Sequence, residues 1–100
     1  MTKRDLVLRI AAQSGLNQRD IATVVQLMLD NVTNELAAGR GVEFRNFGVF
    51  SVKKRAARIG RNPNMPARDV VIPEEAVVKF KAGKTMKERV GKLIEHSDPT

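Results

Sequence analysis

No cysteine occurs in this 100-residue chain, which excludes disulfides, thiolate nucleophiles and zinc sites built on cysteine. Tryptophan and tyrosine are absent too; Phe44, Phe50 and Phe80 fall on the apolar faces of their strands and Phe47 in a turn that can fold inward, so a stacking platform for RNA is not expected. The one histidine, His96, stands in a polar stretch with no Ser or Cys partner in a recognisable frame. Carboxylates are dispersed except for Glu74 and Glu75, and neighbours on a strand point to opposite faces, which argues against a metal pair. Gly39-Arg40-Gly41 lacks the Lys-Ser/Thr of a phosphate-binding loop and serves better as a helix stop. The chain is therefore read as a non-enzyme with no metal and no cofactor. No apolar run approaches the roughly 20 residues that span a bilayer, and no apolar signal region stands at the N-terminus. A soluble, cytoplasmic protein without a membrane partner is expected.

The most informative absence is that of negative charge. No acidic residue occurs between Glu43 and Asp69, a stretch holding Arg45, Lys53, Lys54, Arg55, Arg58, Arg61 and Arg68. Residues 1–44 carry five basic and five acidic groups, so the net charge of +7 lies wholly in the second half. A neutral scaffold joined to a basic working surface is the pattern of a protein that meets phosphates.

Periodicity then divides the chain. Thr2 and Asp5 form a helix-start pattern, followed by Leu6, Val7, Ile10 and Ala11 at helical spacing up to the stop at Gly15. A second helix starts at Asn17, with Leu16 and Ile21 placed as a hydrophobic staple, and runs to about Ala38 before Gly39 and Gly41. Its apolar residues, Ile21, Val24, Val25, Leu27, Met28, Leu29, Val32 and Leu36, make a stripe wider than one partner face can cover. A dimer interface is the favoured reading over a monomer core.

From Val42 to Val52 the period becomes two, with a turn at Asn46-Phe47-Gly48, which predicts a hairpin. The second strand runs into KKRAARIGRNP, turns near Asn62-Pro63 and returns through Val70 and Ile72, predicting a two-stranded arm over roughly residues 53–75. Such a ribbon is expected to stay mobile until it meets its partner. Val77, Val78 and Phe80 form a third core strand with Lys79 and Lys81 outward. Gly83 opens a short last helix with Met86 and Val90, which Leu93 and Ile94 could extend past Gly91. A run of charge is by default a solvated face. Here Arg55, Arg58 and Arg61 alternate with Ala56, Ala57, Ile59 and Gly60, residues narrow enough to enter a minor groove, where arginine gains from the concentrated negative potential.

Three segments, Phe47-Gly48-Val49-Phe50, Arg55 to Pro63, and Phe80-Lys81-Ala82-Gly83-Lys84, make the chain resemble the HU and integration host factor family of bacterial DNA-bending proteins over about residues 2–92. The resemblance implies an α+β fold: two N-terminal helices as a base, a three-stranded antiparallel sheet with a long β-ribbon arm, a short C-terminal helix, and an intertwined dimer. Residues 1–92 would be the DNA-binding domain, with the arm at about 53–75 and a tail at 93–100. It further implies an architectural protein of the nucleoid that bends and compacts double-stranded DNA by shape, preferring bent, nicked or distorted duplexes. A homodimer is favoured and a heterodimer stays open.

By position, Arg55, Arg58 and Arg61 would line the arm, and Pro63 would be a wedge between base pairs. Lys3, the turn from Asn46 to Gly48, and Lys81, Gly83 and Lys84 would hold flanking phosphates. Arg45, Lys53, Asn62, Arg68 and Lys87 complete the expected DNA-binding set. Asn46 stands where the family usually has Gly, Asn64-Met65-Pro66 replaces the usual Thr-Gly turn, and Ala82 replaces the usual Pro. Glu43 and Arg45 around Phe44 are closer to the integration host factor β subunit, which keeps a sequence-selective subunit of a heterodimer as the alternative.

Overall fold

The computed structural model describes residues 1–62 and 64–95, and of Arg61, Asn62, residues 65–68 and Glu95 it describes the backbone alone. The expected wedge ring of Pro63 lies outside the described residues; of the expected tail at 93–100, residues 93–95 belong to the last helix and the rest lies outside the described residues. The chain forms two compact units that meet at Ala38 and Gly39.

The first unit is a helical pair. Helix α1 (Lys3–Ser14) is held at its start by reciprocal bonds, the Asp5 N–H donating to Thr2 Oγ1 and the Thr2 N–H to Asp5 Oδ2. Gly15 ends it with φ 73°, the left-handed conformation that glycine adopts without a Cβ clash. Helix α2 (Gln18–Ala37) begins on Asn17, whose Oδ1 accepts from the N–H groups of Arg19 at 2.8 Å and Asp20 at 3.4 Å. Val7, Ile21 and Val25 are buried where the two helices pack, with Ile10 and Ala11 against them. Leu16, the outer half of the expected staple, flanks the same groove as Ile21 but stays exposed.

In the second unit, β1 (Val42–Phe44) and β2 (Gly48–Arg55) form the hairpin, and β5 (Glu75–Ala82) pairs with the other edge of β2, giving an antiparallel sheet of order β1-β2-β5. Between them β3 (Arg58–Asn62) and β4 (Met65–Ile72) make a separate two-stranded antiparallel ribbon. The β2–β5 ladder continues as far as Arg55 opposite Glu75, and the ribbon begins at Arg58. Helix α3 (Lys84–Glu95) runs through Gly91, Leu93 and Ile94.

The apolar sheet face carries a phenylalanine cluster. Phe50 and Phe80 stand opposite in register with ring centroids 4.7 Å apart, Phe47 lies 5.7 Å from Phe80, and Phe44 meets Phe47 and Phe50 edge-on. This is the packing expected of the aromatics, yet Phe47 remains 47% exposed and Phe80 39% exposed. Burial is sparse throughout. No described side chain is fully buried, and in α2 Val24 is 64% exposed, with Leu27, Met28 and Leu29 exposed beside it. The wide stripe of α2 thus has one side against α1 and the other facing outward in a single chain.

Two glycines separate close packing from open space. A Cβ on Gly48 would collide with the Phe80 ring and sit 2.7 Å from the Lys81 carbonyl oxygen, while one on Gly91 would meet nothing within 4 Å. Gly48→Ala is expected to destabilise the protein by about 1–3 kcal/mol. Gly91→Ala should stabilise it by roughly 0.5–1 kcal/mol through helix propensity. Denaturant midpoints of the two variants check both signs.

Candidate nucleic-acid interface

Strand alternation sorts the basic residues of the sheet. Lys53 and Arg55 on β2 have the same parity, and the antiparallel register sets Val49 opposite Lys81, Ser51 opposite Lys79 and Lys53 opposite Val77. Lys53, Arg55, Lys79 and Lys81 therefore share one face, away from the phenylalanine cluster. Lys79 was not in the expected binding set. Its signal was in the sequence, since Lys79 and Lys81 flank Phe80 with period two, but only the pairing with Ser51 shows that it stands between Lys53 and Lys81. Glu43, opposite Val49, and Glu75, opposite Arg55, put two carboxylates on that face.

A second group forms where the hairpin turn meets α3. Strand β1 ends at Phe44, so Arg45 belongs to the turn instead of the strand. Asn46 has φ 65°, a left-handed backbone that Asn tolerates better than most residues, and the Phe47 N–H donates to the Phe44 carbonyl at 3.0 Å. The Gly83 N–H then donates to the Phe47 carbonyl at 2.8 Å, and a Cβ on Gly83 would come within 3.0 Å of the Asn46 backbone. Asn46, Gly48, Gly83 and Lys84 are brought together by these backbone contacts. Lys84 and Lys87 occupy the first turns of α3, with no acidic residue in its first turn. Cations at the positive end of a helix are electrostatically misplaced unless an anion joins them.

The arm continues from the basic face. In its register Arg58 stands opposite Ile72 and Gly60 opposite Val70, while Ile59 stands opposite Val71 and Arg61 opposite Asp69. Val70 and Ile72 share a face as expected, and Ile72 lies over Gly60, where a Cβ would come within 3.0 Å of its Cδ1. At the tip the register shifts, Asn62 facing Met65 while Arg61 faces Asp69, which leaves residues 66–68 as extra chain on β4. Arg68 lies in that extra segment. The side chains of Arg61, Asn62 and Arg68, and all of Pro63, lie outside the described residues. At the arm's base Arg55 is paired with Glu75. Lys3 belongs to the helical unit, where its Nζ donates to Gln26 Oε1 and Gln26 Nε2 donates to Asp30 Oδ1 at 2.8 Å.

Comparison with known proteins places this geometry. The family described as bacterial DNA-binding protein matches residues 1–91. DNA-binding protein HU of Thermotoga maritima is 41% identical over 90 residues, spanning 90% of this chain and 99% of that protein. Among solved structures, an Anabaena HU–DNA cocrystal superposes with a TM-score of 0.84 at 31% identity, covering 90% of this chain and 97% of the other. The solution structure of a mutant of transcription factor 1 gives a TM-score of 0.63 at 25% identity, covering 98% and 100%.

If the four-residue basic face acts as a unit, Lys79→Ala should weaken binding to duplex DNA and lower the magnitude of the log–log salt slope by about 1. Titrations at several salt concentrations measure it, and an unchanged slope would remove Lys79 from the interface.

Proposed function

Because this chain belongs to the bacterial DNA-binding protein family, as HU does, we propose that it is an architectural protein that binds duplex DNA as a dimer and bends it. The observation that carries this reading is the continuity of positive charge. Lys53, Lys79 and Lys81 share one sheet face that leads through Arg55 into the β3–β4 ribbon, and α3 starts with Lys84 beside the Asn46 turn. Phosphate neutralisation along such a surface supplies affinity without base contacts. The ribbon is two strands wide, with Ile59 and Gly60 between Arg58 and Arg61, a shape suited to the minor groove. The function is binding and deformation of DNA in the bacterial nucleoid, and no chemical step is required of it.

The dimer is supported by what a single chain leaves uncovered. Val24, Leu27, Met28 and Leu29 on α2 are exposed, as are Phe47 in the hairpin turn and Phe80 on the sheet. A second copy supplies apolar surface of the same chemistry, and such an isologous interface closes on itself. We take the dimer to be intertwined and homomeric. Of the two functions left open by the sequence, the shape-directed one is supported, and no observation favours the sequence-selective alternative.

Pro63 is assigned the wedge at the arm's tip, between Asn62 at the end of β3 and Asn64 before β4. A ring without an N–H loses no hydrogen bond on entering a base step. Pro63→Ala is expected to keep most of the affinity while reducing the bend of a short duplex, read by end-to-end fluorescence transfer. An unchanged bend would remove the wedge. If about 6–10 phosphates are contacted, affinity of the unaltered protein should fall about 10³- to 10⁵-fold between roughly 50 and 200 mM salt. A flat salt response would overturn the electrostatic reading as a whole.

A further inference from the structure

The arginines of the arm differ in what stands across from them. Arg55 is opposite Glu75 and Arg61 is opposite Asp69, whereas Arg58 is opposite the apolar Ile72. At Arg55 the opposition is a made contact, Nη1 lying 3.8 Å from Glu75 Oε1, with the two side chains 55% and 46% exposed. An ion pair this exposed adds little to the stability of the fold. Its location gives it another consequence. Arg55 and Glu75 form the last rung of the β2–β5 ladder, after which Ala56 and Ala57 on one strand, and Pro73 and Glu74 on the other, carry the chain into the ribbon. At this junction Arg55 already has a counter-ion, supplied by the protein.

We infer that Glu75 competes with DNA phosphate for Arg55 and so acts as a brake on DNA binding at the base of the arm. The inference rests on the DNA reading proposed above. A phosphate that approaches Arg55 meets the Glu75 carboxylate as well, and the guanidinium must leave one anion to serve the other. Arg55 therefore returns less on binding than a cation that was previously solvated. Arg58 has no such rival in register and contributes its full charge. On release, the freed carboxylate takes up a cation from solution, which offsets part of the counter-ion release from the DNA and flattens the salt dependence. The Glu75 carboxylate, set beside Arg55, thus limits affinity where the sheet hands over to the arm.

The experiment is a cycle of variants, Glu75→Gln, Arg55→Ala and the pair together, with Glu74→Gln and Arg58→Ala alongside, titrated against a fluorescent duplex at several salt concentrations. Glu75→Gln is expected to tighten binding about 2- to 5-fold at low salt, the scale of an exposed ion pair, and to steepen the salt slope. The gain should vanish in the Arg55→Ala background and should not be reproduced by Glu74→Gln. Arg58→Ala should cost more affinity than Arg55→Ala in the unaltered protein. Weaker or unchanged binding by Glu75→Gln would overturn the brake, and so would an equal gain with Arg55 absent or from Glu74→Gln, which would mark a general charge effect. Failure of the unaltered protein to bind duplex DNA would overturn the underlying reading instead, and is distinguished by the first titration.

Discussion

The second unit depends on the closeness of backbone and ring at Gly48. With no Cβ there, the Phe80 ring lies against the start of β2, and the Phe47–Phe80 and Phe50–Phe80 contacts follow from its position. The same turn presents the Phe47 carbonyl to the Gly83 N–H, and Gly83 is again tight enough against Asn46 that a methyl group would press on it. Two missing side chains thus tie the hairpin turn, the aromatic cluster and the first residue before α3 into one block. The backbone at Lys81 and Lys84 is thereby fixed, and only their long side chains keep freedom of position.

Stability and binding are divided unequally along the chain. Residues 1–44 balance their charges and carry the apolar stripe of α2, while the positive excess lies beyond them. A chain with Val7, Ile21 and Val25 as its buried core has little to spend on holding like charges together. In the dimeric reading the apolar half offsets this repulsion through association, which makes stability depend on protein concentration. The polyanion then relieves the remaining repulsion. Folding and binding are linked through the same electrostatic term.

Much of this was legible locally. Thr2 with Asp5, Gly15 and Asn17 act within a few residues of themselves, and the helix limits they predict are the observed ones within a residue. Asn46 in a left-handed turn and the opening of α3 at Gly83 could be read for the same reason. What could not be read depends on register. The alternation of Lys53 and Arg55 looks alike whether they belong to the body sheet or to the arm, and only pairing with Val77 and Glu75 places them in the sheet. Lys79 was visible as an outward residue, but its membership of the basic face needed its partner Ser51. The partial exposure of Phe47 and Phe80 was also hidden, because a periodic pattern says which side a ring faces and not whether one chain can cover it.

The register shift near the tip has a consequence for how this arm can vary. Arg58 to Arg61 face Ile72 to Asp69 in unbroken one-to-one order, and the surplus residues are all on the returning strand, between Met65 and Asp69. Chain can be added or removed within 66–68 without sliding the outgoing strand against its partner. The tip is therefore a cassette. Sequences grafted there would change the end of the ribbon while the register of Arg58 and of the strand leading to it stays where the sheet has set it.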